Sequence, residues 1–357
     1  MRITFSEDVT AFGRGIDVKS PTGRHVAGGA VSGGNGMVSF ILADQVLEPG
    51  TYLVTWRVVA ADTHPSRGRY TFSIGHPSAT ATEATATGDV GAVAPLGLLF
   101  QALSRWLHFA GFALAFGGFA FQLLVLRRPE PPTRLRRVVR AGIVLLLLAV
   151  PLALAGQAAS LGGYDLWAIG MDVLASAFGR VLALQIAAAI LLWAILGALR
   201  ESGGRGNRSV LVLGCGLALV DGLQGHTIGG APAPAAYLLT AIHVAAMALW
   251  AGGVAAMLVT LPESGRLVAR FGRFAGISVA VLIGSGALLA LLHLRGPADL
   301  VGTAYGGVLA LKLVAVGAAL VAAALGIRRS RSGFPEAIAL IGVLGLAGLL
   351  ASLPPPR

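Results

Sequence analysis

Two histidines lie deep inside long apolar stretches of this 357-residue chain, at matching places. His108 and His243 are each followed by a pair of glycines, nine and ten residues later. At a rise of ~1.5 Å per residue, both side chains would lie roughly 12–16 Å below the outer end of a membrane helix, where polar groups usually face a cavity or a partner. Neutral imidazole binds transition metals such as copper. The pair predicts a metal site; two packing histidines hydrogen-bonded across helices are the alternative.

Other polar or sulfur-bearing side chains lie along the same apolar stretches. Met247 and Trp250 follow His243 on one helical face, about one and two turns away. Lys312 is the only lysine after residue 94, and its charge would repel a metal ion. It could be a counter-ion to Asp221, or it could extend its ammonium to the membrane surface. The residues predicted to line a transport pathway are Trp250, Met247, Asp221, His226, Lys312 and Gln185.

Asp62 and His64 form a second possible ligand pair, after a β-rich segment near the N-terminus. Side chains two residues apart in an extended strand point to the same side. A carboxylate and an imidazole so placed are good Cu(II) ligands. Two ligands make an incomplete site, and so short a motif also occurs by chance. No catalytic group is indicated anywhere, and we expect that the protein is not an enzyme.

The composition is that of a membrane protein with a small polar part at its N-terminus. Hydrophobic residues make up 55% of the chain and charged residues only 12%, about half of what soluble domains carry. The net charge of +11 comes from residues 95–357, which hold 20 basic and 8 acidic residues, whereas residues 1–94 hold 7 and 8. The basic residues lie between apolar segments, which argues against nucleic-acid binding. Cys215, the single cysteine, is expected to be a small buried apolar residue.

Residues 1–75 predict a small antiparallel β-sandwich. Short runs rich in β-branched and aromatic residues alternate with turn residues, at positions 1–6, 15–20, 36–42, 51–59 and 68–75. Residues 76–94 are small and polar and predict a flexible linker.

Residues 95–357 predict an all-α bundle of eight transmembrane helices. The apolar segments lie at about 97–126, 136–158, 177–199, 209–225, 235–261, 273–293, 303–327 and 336–353, of which the fourth is short. The loops after the odd-numbered segments are rich in arginine, and the others are nearly free of basic residues. The positive-inside rule then predicts that both termini are outside. An outer β-domain needs export, so we expect the true start to lie upstream of Met1.

The helical part also contains an internal repeat. Nine of nineteen positions from His108 to Leu126 are identical to His243–Leu261, and Ser176–Gln185 aligns with Thr303–Lys312. The predicted architecture is two parallel four-helix repeats, about 97–225 and 235–353, related by a pseudo-two-fold axis along the membrane normal. This symmetry places His108 and His243 at equal depth.

Two parts of the chain resemble known families. GTYLVTWRVVAADTHPSRGRYTFSI, with RITFSEDV before it, resembles the CopC copper-binding domain, a periplasmic β-sandwich. The resemblance implies that Asp62 and His64 are Cu(II) ligands. CopC domains also use an N-terminal histidine and a Met-rich loop, and this sequence shows neither. RWLHFAGFALAFGG, RFGRFAGISV and TAYGGVLALK, with Trp250 and Gly252 after His243, resemble the membrane protein CopD.

The resemblance implies a fused CopC–CopD protein of copper resistance and uptake. Our prediction is a protein of the cell (inner) membrane that captures Cu(II) outside and moves copper toward the cytoplasm past His108 and His243. Its expected partners are copper ions, the lipid bilayer and periplasmic copper carriers, with no nucleic acid. The alternatives are a redox protein that holds a haem or copper between His108 and His243, and a membrane-tethered copper buffer without transport.

Overall fold

The computed structural model describes residues 1–5, 9–33, 37–43, 46–60, 65–78, 94–128, 130–161, 171, 173–174, 176–202, 207–223, 233–260, 265–329 and 334–356. The chain divides into two compact units. One unit comprises Met1–Leu98 with Leu154–Arg180, and the other comprises Leu99–Ala153 with Val181–Arg357.

The N-terminal region forms two three-stranded antiparallel sheets. The strands are β1 (Arg2–Thr4), β2 (Val9–Lys19), β3 (Gly28–Gly33), β4 (Met37–Leu42), β5 (Gly50–Ala60) and β6 (Pro65–Ile74). One sheet has the order β1-β4-β3 and the other has the order β2-β5-β6. Buried side chains from both sheets form a single hydrophobic core: Ile16, Val18, Val38, Phe40, Tyr52, Val54, Trp56 and Val58.

Strand β5 shows why this region folds as it does. Its even-numbered residues from Tyr52 to Val58 are buried, as expected when alternate side chains point to one face. Trp56 pairs with Gly68 of β6, and a Cβ at Gly68 would overlap the indole ring. The glycine therefore makes room for the largest side chain of this core.

The structure corrects the predicted strands at one place. Residues 28–33, GGAVSG, were not predicted as a strand because glycine has no β preference, yet they form β3 through pairing with β4. Strand β2 is also longer than predicted and has an irregular register between Ala11 and Ile16. Of the predicted linker, residues 79–93 lie outside the described part of the chain.

Eight long helices follow in the described residues, close to the predicted segments. They are α1 (Pro95–Leu126), α2 (Thr133–Leu161), α3 (Ala177–Ser202), α4 (Asn207–Gly222), α5 (Ala233–Thr260), α6 (Gly265–His293), α7 (Ala304–Arg329) and α8 (Phe334–Leu350). Six helices in the described residues are long and apolar enough to cross a membrane, namely α1, α2, α3, α5, α6 and α7. Helix α4 has 16 residues and α8 has 17, both below the usual spanning length of about 20.

Apolar side chains are exposed along the outer faces of these helices, as expected for surfaces that contact lipid. Trp193, Ile277 and Leu291 are examples, each more than 60% exposed. Cys215 is also exposed, so the prediction that it is a buried core residue was wrong. The prediction did not consider that a small apolar residue can equally well lie on a lipid-facing helix surface.

Helices α1 and α5 cross at glycines with almost no space between them. A Cβ at Gly117 would overlap the carbonyl oxygen of Ala248, and a Cβ at Gly252 would overlap that of Ala113. The two contacts are reciprocal, because Gly117 and Gly252, like Ala113 and Ala248, are 135 positions apart. Small residues allow this close approach of helix backbones. On α1 the crossing coincides with a π-helical turn, Ala113–Gly117.

Helices α4 and α8 make a second pair of corresponding contacts. Gly222 of α4 packs against the carbonyl of Tyr237 on α5, and a Cβ added at Gly348 of α8 would lie 2.8 Å from the carbonyl oxygen of Ala102 on α1. Ala102 and Tyr237 are again 135 positions apart. Helix α4 therefore packs on α5, and α8 packs on α1, through small residues, and apolar side chains of all four helices belong to one buried core.

Candidate metal pathway

Three of the predicted site residues meet in the interior of the helical unit. His108 of α1, Gln185 of α3 and Asp221 of α4, which we call the His108 cluster, belong to three different helices. The Nε2 atom of His108 lies 2.8 Å from Oδ1 of Asp221. The amide Nε2 of Gln185 donates a hydrogen bond of 3.1 Å to the same oxygen. His108 is 7% exposed and Asp221 6%, so both are shielded from the surface.

Two polar atoms of the His108 cluster are left without a hydrogen bond. The short contact between His108 and Asp221 does not have the alignment that a hydrogen bond requires, so Nε2 of His108 has no hydrogen-bond partner among the described residues. Oδ2 of Asp221 is likewise buried and without a partner there. A buried polar atom without a partner costs roughly 1–3 kcal/mol, more if charged. Such atoms are expected where a side chain serves a ligand rather than the fold.

Small residues next to the cluster explain how Asp221 reaches the interior. Gly222 lets the end of α4 lie directly on the backbone of α5 at Tyr237. Lower on the same helix, Gly214 faces the ring of Phe116 of α1, where a Cβ would overlap it. These two contacts hold α4 against both α1 and α5, which places the carboxylate of Asp221 at the side chain of His108.

His243 has different neighbours from His108. Its Nδ1 lies 3.0 Å from the hydroxyl oxygen of Ser285 on α6, and its ring packs on Gly286, where an added Cβ would lie 2.9 Å from Cε1. Lys312 of α7 is near enough to interact electrostatically with the ring. We call His243, Ser285 and Lys312 the His243 cluster. No hydrogen bond or ion pair joins it to His108 within the described part of the chain.

The two clusters differ in charge although their histidines occupy matching positions. Gln185 of the first cluster aligns with Lys312 of the second. If Gly222 corresponds to Gly348, as their contacts suggest, then Ala347 takes the place of Asp221. The first cluster therefore holds a carboxylate and neither lysine nor arginine, whereas the second holds a lysine and no carboxylate.

Trp250 and Met247, which were predicted to line the pathway, are buried in the apolar core shared by α1, α4, α5 and α8. The Nε1 of Trp250 donates a hydrogen bond of 3.2 Å to Oε1 of Glu336 on α8. Glu336 is only 9% exposed, and it was not among the predicted site residues. Its one signal in the sequence was a carboxylate at the start of an apolar segment, which is also typical of an ordinary helix N-terminus.

Three predicted site residues lie outside the described residues: Asp62, His64 and His226. In the sequence, Asp62 and His64 lie between Val59 of β5 and Pro65 of β6, which pair with each other. Among the described residues, no three or more His, Cys, Asp or Glu side chains are grouped closely enough to hold a metal ion. The His108 cluster contributes two such residues and an amide.

Three family models match successive parts of the chain. Residues 1–75 match the CopC domain, and residues 96–233 match the N-terminal domain of copper resistance protein D-like proteins. Residues 265–344 match copper resistance protein D. The His108 cluster lies within the second match, and Ser285 and Lys312 lie within the third. All three descriptions are of copper proteins rather than of enzymes.

Two kinds of curated relatives are similar to this chain. The copper transport protein CutJ of Bacillus subtilis (strain 168) is 28% identical over 294 residues, which cover 74% of this chain and 52% of the relative. Protein YobA of Escherichia coli (strain K12) and that of Shigella flexneri are each 58% identical over 33 residues, 9% of this chain and 26% of the relative. The chain thus spans about half the length of the first relative and about a quarter of the others. No solved structure matches the chain.

Proposed function

We propose that this chain, which belongs to the family of fused CopC–CopD copper resistance proteins, captures copper outside the cell membrane and moves it toward the cytoplasm. In this proposal the β-region binds Cu(II) with Asp62 and His64, and the helical part conducts copper through the bilayer. The observation that carries the proposal is the buried His108 cluster, with two polar atoms that make no hydrogen bond among the described residues.

The His108 cluster has the chemistry that a partly dehydrated cation needs. An ion that leaves water must find replacement ligands, because hydrocarbon offers none. The imidazole of His108 and the carboxylate of Asp221 supply nitrogen and oxygen donors, and the carboxylate also supplies negative charge. Gln185 fixes the carboxylate through its hydrogen bond to Oδ1 and leaves Oδ2 unpartnered. We therefore assign these three residues as the copper-binding site of the helical part.

We propose a different role for His243. The ammonium of Lys312 repels a cation nearby, and the His243 ring is already bonded to Ser285. Copper then binds in the first half of the helical part, and the second half supports it through the glycine crossing of α1 with α5.

The proposal includes eight membrane-spanning helices in two parallel repeats, with both termini outside. The reciprocal contacts of Gly117 with Ala248 and of Gly252 with Ala113 support the repeat, because a two-fold axis generates such a pair. Helices α4 and α8 are short, but each packs on both α1 and α5, as spanning members of the bundle would. The distribution of arginine between the loops supports the orientation.

Copper content of cells that express single variants tests the proposal. His108→Ala and Asp221→Asn should lose most of the copper accumulation that the wild-type protein gives, whereas His243→Ala, the matched control, should retain most of it. Intracellular copper is measured by mass spectrometry at equal amounts of membrane-inserted protein. Equal loss in His108→Ala and His243→Ala would instead favour the paired-histidine site expected from the sequence.

Three other outcomes would contradict the proposal outright. Full accumulation in both His108→Ala and Asp221→Asn would show that the cluster does not carry copper. Absorption bands of a haem in the purified wild-type protein, lost in either histidine variant, would support the electron-transfer alternative. Copper bound by the protein without any flux into vesicles would support the membrane-tethered buffer.

A further inference from the structure

We infer that the ion bound at the His108 cluster is Cu(II) rather than Cu(I), an inference that rests on the proposed function. The cluster presents an imidazole nitrogen and carboxylate oxygens, and the amide of Gln185 holds the carboxylate by donating to it. Nitrogen and oxygen donors suit Cu(II), whereas soft thiolate and thioether ligands select Cu(I). The donor set of the site therefore specifies the oxidation state of the ion.

Burial makes the type of donor decisive. His108 and Asp221 are each more than nine-tenths buried, so an ion between them exchanges most of its water for protein atoms. An ion that kept its hydration shell would not bind the side chains directly, so their donor types would matter little. Here Oδ2 of Asp221 and Nε2 of His108 make no hydrogen bond among the described residues, although Nε2 lies 2.8 Å from Oδ1.

The sulfur atoms of the chain are placed elsewhere. The chain has one cysteine and five methionines. Cys215 precedes Asp221 by six residues on α4, which is about 240° around the helix, and its side chain is exposed. Met247 is on α5 one turn after His243, and Met257 packs in a separate apolar core. The other three methionines, Met1, Met37 and Met171, lie outside α1–α8.

A copper site formed by His243 and Met247 is the alternative to this inference. His243 and Met247 would together offer an imidazole and a thioether, a better donor set for Cu(I). The ammonium of Lys312 near His243 opposes any cation there. The His108 cluster has the opposite charge, which favours it as the cation site.

Ion flux into lipid vesicles containing the full-length protein tests the inference. Cu(II) is supplied without reductant, and Ag(I) serves as a redox-inert monovalent ion with the soft ligand preference of Cu(I). The wild-type protein should move Cu(II) at least about tenfold faster than Ag(I), which corresponds to roughly 1.4 kcal/mol of ligand preference.

A ligand exchange at Asp221 provides a matched pair of variants. Asp221→Met introduces a thioether and should lower Cu(II) flux while raising Ag(I) flux. Asp221→Leu has a similar volume without sulfur, so it should lower Cu(II) flux without raising that of Ag(I). This contrast separates a change of donor from a loss of folding, because a misfolded variant cannot gain Ag(I) flux.

The results distinguish failure of the inference from failure of the proposed function. Ag(I) flux equal to or faster than Cu(II) flux, and dependent on His108 and Asp221, would overturn the inference and leave copper transport in place. Ag(I) flux that depends on His243 and Met247 would also overturn it. Flux of neither ion would overturn both. Cu(II) flux that is lost in Asp221→Leu, with little wild-type Ag(I) flux, supports it.

Discussion

Two histidines at aligned positions of the sequence, His108 and His243, have different partners. His108 contacts Asp221, whereas His243 bonds to Ser285 and lies near Lys312. At one pair of aligned positions, the neutral amide of Gln185 corresponds to the cationic side chain of Lys312. The positive charge of Lys312 acts strongly on nearby ions, because Coulomb interactions in a low-dielectric interior are several times stronger than in water.

The bond between Trp250 and Glu336 leads to a prediction at the scale of single residues. Trp250→Phe should destabilise the protein by about 1–3 kcal/mol, because it leaves a buried carboxylate without its donor. Adding Glu336→Leu to this variant should recover part of the loss, since two apolar partners leave no unsatisfied group. Thermal unfolding of the detergent-solubilised protein measures both changes.

Trp106 provides the control for this prediction. Its Nε1 donates to the neutral carbonyl of Ile341 at 3.3 Å, so loss of the indole leaves no buried carboxylate without a donor. Trp106→Phe should therefore cost less than Trp250→Phe. A double variant of Trp250 and Glu336 that is no more stable than Trp250→Phe alone would show that the hydrogen bond contributes nothing.

At the scale of helices, the crossing of α1 with α5 determines where the functional side chains lie. The crossing brings backbones into contact at Gly117 and Gly252, nine residues below His108 and His243. The π-helical turn of α1 at Ala113–Gly117 coincides with the crossing. A π turn rotates the residues on one side of it relative to those on the other. This turn therefore contributes to the different neighbours of the two histidines.

The close crossing predicts that even a glycine-to-alanine substitution there strongly lowers the stability of the protein. Gly117→Ala or Gly252→Ala adds a methyl group where only a backbone carbonyl fits, and should cost about 1–3 kcal/mol or more. Gly276→Ala on α6 is the matched control, because an added Cβ there meets nothing within 4 Å. That substitution should be neutral or stabilising by roughly 0.5–1 kcal/mol.

The fraction of monodisperse protein after extraction, together with its unfolding temperature, measures these effects. Wild-type behaviour of both Gly117→Ala and Gly252→Ala would mean that α1 and α5 are further apart than the structure places them. Loss of stability in Gly276→Ala would instead indicate a general sensitivity of the helices to added side chains.

At the scale of the whole molecule, the arginine distribution predicts the orientation in the membrane. Single cysteines at Arg134 and Asp165, in a Cys215→Ala background, should react with a membrane-impermeant reagent from the inside and the outside respectively. The background substitution is needed because Cys215 is exposed. The reverse labelling pattern would place the β-region in the cytoplasm and would contradict copper capture from outside.

The sequence by itself determined the local features of this protein. Hydrophobic segments long enough for a membrane predicted the helices to within about three residues, except that α6 begins eight residues before its predicted start. Alternation of apolar residues predicted β4, β5 and β6. These features depend on composition and periodicity within a single segment. Strand β3 was missed because its glycine-rich sequence becomes a strand only when β4 lies beside it.

Only the tertiary structure decided which polar side chains meet. His108 and Asp221 are 113 positions apart, and Trp250 and Glu336 are 86 apart. The direction of each side chain depends on how the helices are rotated about their axes, and the backbone contacts at Gly117, Gly222 and Gly252 set that rotation. A hydrophobic segment constrains the length of a helix but hardly constrains its rotation, because lipid accepts any apolar face equally well.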